Sequence, residues 1–184
     1  MKHYKLIILD RDGVINQDSD AYIKSMDEWK PIPGSIAAIA RLSQCGIKVA
    51  VATNQSGVAR GFYSIEVMHQ IHTALEQQVC VLDGIICQIA FCPHGPEEGC
   101  DCRKPKPGLI HQILNEQNIP AEDTLVVGDA MRDLEAAQAA GCDAVLVRTG
   151  KGLRTLEKHA LETHLVFDDL AQCVEKILET NSPL

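Results

Sequence analysis

Tyr4-Lys5-Leu6-Ile7-Ile8-Leu9-Asp10-Arg11-Asp12-Gly13 sets an aliphatic run directly against a doubly acidic turn. Consecutive large apolar residues without alternation fit a strand covered on both faces, as in the middle of a parallel sheet. Similar runs recur at Ile47 to Ala52, Ile85 to Ala90, Thr124 to Val127, Ala144 to Val147 and, more weakly, Leu165 to Phe167. Helical spacing fills the gaps at Ser35 to Gln44, Ser64 to Val79, Met131 to Ala140, and from Pro107 to about Asn118. A last helix, capped by Asp168 or Asp169, runs to about Glu179. Strand alternating with helix requires right-handed crossovers, so the fold class is α/β: a doubly wound, Rossmann-like parallel sheet with helices on both faces.

The 184 residues are expected to form one domain over 1–184. A formal charge of -8 repels polynucleotide phosphates and excludes nucleic acid as the expected partner. The N-terminal apolar run, Leu6 to Leu9, is too short for a signal-peptide core or a spanning helix, so a cytoplasmic protein without a membrane partner is expected. At 20.1 kDa a monomer is expected. In a reducing compartment, the eight cysteines are read as metal ligands or core residues and not as disulfides.

Ligands of doubly wound sheets bind beyond the carboxyl ends of the strands, and Asp10, Thr53 and Asp129 each directly follow a predicted strand. Asp10 and Asp12 can address one small volume, one as nucleophile and the other as acid, which suits phosphoryl transfer through an aspartyl-phosphate. Asp12-Gly13 alone could be a plain turn. The neighbouring loops supply what a phosphoryl group in flight requires: donors from Thr53-Asn54-Gln55-Ser56, cations from Arg103-Lys104, and hard carboxylate oxygen for magnesium from Asp129 with Asp133. Each has a bland reading as a cap, a turn or a solvated charge pair, but their convergence on one sheet edge favours a site.

A second pattern is Cys92-x-His94 followed five residues later by Cys100-x-Cys102. Three thiolates and an imidazole match a closed, tetrahedral, structural zinc site in a loop spanning 91–104. Arg103 and Lys104 follow the last ligand, so the zinc is expected to fix where both cations point. Gly150-Lys151-Gly152 lacks the rest of a dinucleotide or Walker pattern and is read as an ordinary loop. His69 and His72, on one helix face, are given no role.

The four ordered segments Asp10-Arg11-Asp12-Gly13, Thr53-Asn54-Gln55-Ser56, Arg103-Lys104-Pro105 and Gly128-Asp129 resemble the motifs of haloacid dehalogenase-like phosphatases. Within that superfamily, Thr53-Asn54-Gln55-Ser56-Gly57-Val58-Ala59-Arg60-Gly61 and Cys100-Asp101-Cys102-Arg103-Lys104-Pro105 are similar to the D-glycero-D-manno-heptose 1,7-bisphosphate 7-phosphatase family. The resemblance implies Asp10 as nucleophile, Asp12 as acid and then base, Thr53 and Lys104 as phosphoryl stabilisers, and Arg103 as a substrate-recognition residue. It further implies magnesium held by Asp10, the Asp12 backbone carbonyl and Asp129, and a small phosphorylated sugar bound by Asn54, Gln55, Ser56 and the loop at Asp18 to Tyr22. That loop carries an extra residue here, which bears on Asp18 and Asp20, and Ala130 stands where some members have a lysine. No large insertion separates the motifs, so no cap domain is expected. Histidinol-phosphate phosphatases share the zinc spacing and are the enzymatic alternative. A non-catalytic zinc-stabilised binding protein is the other, and the intact Asp10, Asp12, Lys104 and Asp129 set argues against it.

Overall fold

In the computed structural model, which describes residues 2–159 and 165–181, β1 (Leu6–Leu9) is completely buried and lies in the middle of the sheet. β2 (Lys48–Asn54), β3 (Gln88–Cys92), β4 (Thr124–Gly128), β5 (Asp143–Val147) and β6 (Leu165–Phe167) join it in the order β3-β2-β1-β4-β5-β6. Every pairing is parallel. Alternation along β1 explains the layering. Ile7 and Leu9 pack with Val49, Val51, Leu125 and Val127 against α1 (Ser35–Gln44), α2 (Ile65–Val81) and α6 (Leu170–Asn181). Leu6 and Ile8 face the other way, with the smaller Ala50 and Ala52, against α3 (Gly108–Gln117) and α4 (Met131–Ala140). The doubly wound α/β fold is therefore present. Among the described residues no helix is long and apolar enough to cross a membrane.

Several boundaries shift for physical reasons. β2 runs on to Asn54, because Thr53 and Asn54 pair with Phe91 and Cys92 of β3; Thr53 lies within a strand and not after one. β3 starts at Gln88, three residues later than expected, since Gly84 approaches the backbone of α1 at Ala40 too closely for a side chain and the chain is still arriving at the sheet edge. α2 begins at Ile65, with Ser64 as its cap, and α3 at Gly108, with Pro107 just outside. The final helix takes Asp169 as its cap, the carboxylate accepting from the Gln172 N–H at 2.8 Å. One helix is additional: α5 (Gly152–Lys158), seven residues with only Gly152 and Thr155 buried, too short to leave an apolar period in the sequence.

The strand order changes direction at β1, flanked by β2 and β4, so the crevice of the sheet opens where Asp10 leaves β1. Residues 10–34 and 93–107 border this edge. Among the described residues no inserted domain covers it.

Candidate active site

Asp10 follows β1 and is 4% exposed. Its Oδ1 lies 3.0 Å from Lys104 Nζ and accepts the Arg11 N–H at 2.8 Å. Lys104, equally buried, also reaches Asp133 Oδ1 at 2.6 Å and donates to the Ala52 carbonyl at 2.7 Å. Burial works against the Lys104 charge, but Asp10 and Asp133 outweigh it and hold the ammonium protonated. Asp129, fully buried at the end of β4, completes a trio: one carboxylate oxygen each from Asp10, Asp129 and Asp133 lie within 4.8 Å of one another. Burial and then the neighbouring Asp10 and Asp133 charges push the Asp129 carboxyl up to about 8, and burial raises Asp10 despite Lys104. Asp129 Oδ1 has no donor. A packed set of hard oxygens with an unpaired atom and rising proton affinity can hold a divalent cation.

Asp12 differs in environment from Asp10. Arg11 Nε and NH2 donate to its two oxygens at 3.0 and 2.9 Å, Asn16 at 2.8 Å and Gln55 at 2.9 Å. Burial opposes its charge, yet Arg11 and these donors hold the carboxyl below the usual range. The two aspartates are thus electrically distinct, one pushed towards protonation and one away. Arg11, 1% exposed, also donates to Gln55 Oε1 at 3.0 Å and faces His72 Nε2 at 3.2 Å. Tyr63 donates to the same Gln55 oxygen at 2.7 Å.

A cavity of about 210 Å³ lies against Asp10, with Asp12, Thr53, Ser56 and Arg103 among its walls. Asn54 and Gln55 border it too, but their side chains already have internal partners. Asn54 exchanges two hydrogen bonds with the Lys104 backbone, at 3.0 and 3.1 Å, while Gln55 bridges Asp12, Thr53, Arg11 and Tyr63. Both amides hold other site residues in place. Asp18 and Asp20 reach the rim, where Lys151 Nζ stands 3.0 and 3.9 Å from them and Arg154 is 3.4 Å from Asp20.

The four zinc-pattern residues also converge. Cys92 Sγ lies 3.6 Å from both His94 Nδ1 and Cys100 Sγ, and His94 Nδ1 lies 3.3 Å from Cys102 Sγ. Ligands about 2.3 Å from a tetrahedral centre stand roughly 3.8 Å apart, so the edges match that of a zinc tetrahedron. Arg103 NH1 donates to the His94 carbonyl at 3.2 Å, which ties its guanidinium to the same loop.

Sequence reasoning missed the Gly150-Lys151 segment. The Lys151 N–H donates to Asp129 Oδ2 at 2.7 Å, Thr149 Oγ1 to the Gly13 carbonyl at 2.6 Å, and Thr155 Oγ1 to the Asp129 carbonyl at 3.0 Å. Gly13 and Gly150 both have positive φ, and a Cβ on either would strike the Asp129 carboxylate. The positions after β5 therefore support the acidic trio, a role with no residue signature beyond the glycine itself. His72 was likewise overlooked as a partner of Arg11, because its helix spacing says nothing about what it meets.

With this geometry, three comparisons bear on ancestry. The HAD-hydrolase-like family pattern matches residues 101–173. The D-glycero-beta-D-manno-heptose-1,7-bisphosphate 7-phosphatase of Pseudomonas putida is 56% identical, over 95% of this chain and 99% of that protein. The chain belongs to this phosphatase family. The D,D-heptose 1,7-bisphosphate phosphatase of Bordetella bronchiseptica, solved with magnesium and phosphate, is 48% identical and superposes with a TM-score of 0.92 over 95% of this chain and 98% of that one. The corresponding enzyme of Burkholderia thailandensis is 38% identical, with a TM-score of 0.74 over the same shares. Membership agrees with the phosphatase resemblance read from the four motifs.

Two outcomes are expected. Gly150→Ala displaces the Asp129 carboxylate, and a displacement of about 1 Å at a catalytic centre costs on the order of 100-fold, so phosphate release should fall by at least that factor while the far-ultraviolet circular dichroism stays native. Burial first, then Arg11 and His69, depress His72 to about 3, whereas the unfolded chain protonates it near 6.5. This contribution is present above about pH 6.5 and is lost as pH falls towards 3. Urea unfolding should show about 2 kcal/mol less stability from this group at pH 5 than at pH 7, a loss that His72→Gln should remove.

Proposed function

We propose that this chain is a magnesium-dependent phosphomonoesterase that removes the 7-phosphate of D-glycero-β-D-manno-heptose 1,7-bisphosphate, leaving heptose 1-phosphate. The observation that carries the reading is the pairing of a buried carboxylate, Asp10, with the electrically distinct Asp12 at one cavity wall, in a chain 56% identical to a phosphatase of that name. The β anomer follows the names of the relatives at 48 to 56% identity. The unpaired Asp129 Oδ1 and the mutually repelling trio fit magnesium, with Asp10, the Asp12 carbonyl and Asp129 as its ligands. Bound there, magnesium supplies positive charge to the phosphoryl oxygens. The cysteine–histidine tetrahedron fits structural zinc, and residues 1–184 act as one phosphatase domain.

Asp10 attacks phosphorus as the bond to the sugar oxygen breaks, and Asp12 gives that oxygen its proton. Water then attacks the aspartyl-phosphate, Asp12 takes the proton, phosphate leaves and Asp10 is restored. The arrangement around Asp12 favours the ionised form, the base needed in the second half. An arriving phosphate dianion has the opposite influence and favours the protonated form needed in the first. Lys104 and the Thr53 hydroxyl stabilise charge on the transferring group, and Arg103 recognises the sugar phosphate. Ser56 meets the substrate directly, whereas Asn54 and Gln55 act by positioning Lys104 and Asp12. Asp18 and Asp20 face sugar hydroxyls from the rim. The free thiols and metal-binding cysteines suit the reducing cytoplasm.

Phosphate release from the β and α bisphosphates, with histidinol phosphate and fructose 1,6-bisphosphate as controls, tests the reading. The β anomer should lead in kcat/KM, and equal or faster turnover of histidinol phosphate would overturn the assignment. Asp10→Asn should abolish turnover, and Asp12→Asn should lower kcat by roughly 100- to 10,000-fold with folding intact. Cys102→Ser should lose zinc, measured by elemental analysis, and raise KM through the loosened Arg103-Lys104 segment; an unchanged KM in verified zinc-free protein would reject that role for the metal.

A further inference from the structure

Arg132 lies in the first turn of α4, three residues after Asp129, and is one of the residues lining the catalytic cavity. Among the described residues it makes no hydrogen bond or ion pair, and its Nε is buried without an acceptor. Arg132 as a whole is partly exposed, so Nε is left unsatisfied at a cost while the rest of the guanidinium is open to a ligand in the cavity. Every other cation named at the cavity has an occupation or lies in solvent. Arg103 donates to the His94 carbonyl, Lys151 pairs with Asp18, and Arg60 is exposed. Ala130 beside it offers only a methyl group.

The carboxylates that act on Arg132 are Asp10, Asp133, Asp129 and Asp18. Three belong to the reaction centre and one to the loop at the rim. Arg132 lines the same cavity as Asp10 and Asp18, so a ligand seated against Asp10 lies within walls that Arg132 helps to form. The cleaved phosphoryl group already has Lys104 and Thr53. A bisphosphate brings a second dianion that must be held away from Asp10, and a planar guanidinium with two parallel N–H donors matches phosphate oxygens.

We propose that Arg132 is a specificity-determining residue that grips the phosphate not being cleaved, selecting sugar bisphosphates over monophosphates. This rests on the heptose bisphosphate reading and deepens it. The alternative for such a residue is charge balance alone, in which it offsets the buried carboxylates and never meets substrate.

The test compares kcat and KM of the wild type, Arg132→Ala, Arg132→Gln and Arg132→Lys on heptose 1,7-bisphosphate and heptose 7-phosphate, with thermal melting to verify folding. The ratio of kcat/KM for bisphosphate over monophosphate should fall roughly 10- to 100-fold in the Ala and Gln variants, mainly through KM for the bisphosphate, and recover in part in the Lys variant. If both substrates lose kcat/KM together and the ratio stays within about twofold, Arg132 serves the transferring phosphoryl group or charge balance and the proposal fails. A Gln variant that folds keeps the test decisive should the Ala variant not fold. Wild-type protein inert towards the bisphosphate would instead overturn the substrate reading, and this inference with it.

Discussion

The Lys104 ammonium stands between Asp10 and Asp133 in a space closed to water, and most of the site follows from that placement. Three buried carboxylates cannot share a small volume without compensation. Lys104 and Arg132 supply two charges against the trio, which leaves a formal deficit of one. A divalent cation reverses the sign of that deficit and makes the centre attractive to a phosphate dianion. Asp129 near 8 reports the same deficit from the other side, since in the absence of a cation a proton is the cheapest compensating charge.

Such a cluster holds its shape only if each member is fixed from outside. Asn54 clamps the Lys104 backbone at the end of β2, next to Cys92, so the cysteine–histidine loop and the strand end locate the lysine together. The β5–α5 connection holds Asp129 through the Lys151 N–H and through glycines at 13 and 150 that leave room for its carboxylate. Asp12 has a scaffold of Arg11, Gln55, Asn16 and, behind Arg11, a neutral His72. Arg11 joins the two aspartates, its backbone N–H donating to Asp10 and its guanidinium to Asp12, yet their different surroundings give them different proton affinities.

Much of this was legible in the chain. Buried parallel strands write themselves as unbroken aliphatic runs, so β1 and β4 were evident, and the residues just past them could be placed on one sheet edge from the chain alone. The clustering of Cys92, His94, Cys100 and Cys102 was legible because a set of side chains able to hold a metal depends on residue type at short spacing. The hydrogen bonds by which Asn54 holds the Lys104 backbone and Gln55 bridges Asp12 and Thr53 were not, because an amide facing a cavity and an amide bracing a neighbour are the same letter. α5 left no trace, since one or two buried positions in seven make no period.

The sequence by itself determined the α/β class, the sheet edge that carries the chemistry and the types of group gathered there, because these depend on local periodicity and on residues close in the chain. Only the tertiary structure decided which of them meet: Lys104 with Asp10 and Asp133, Arg11 with His72, and Lys151 with both Asp129 and Asp18. These contacts join segments separated by 22 to more than 100 residues. Burial and charge at a point are sums over everything packed around it, and no single stretch of chain contains that sum.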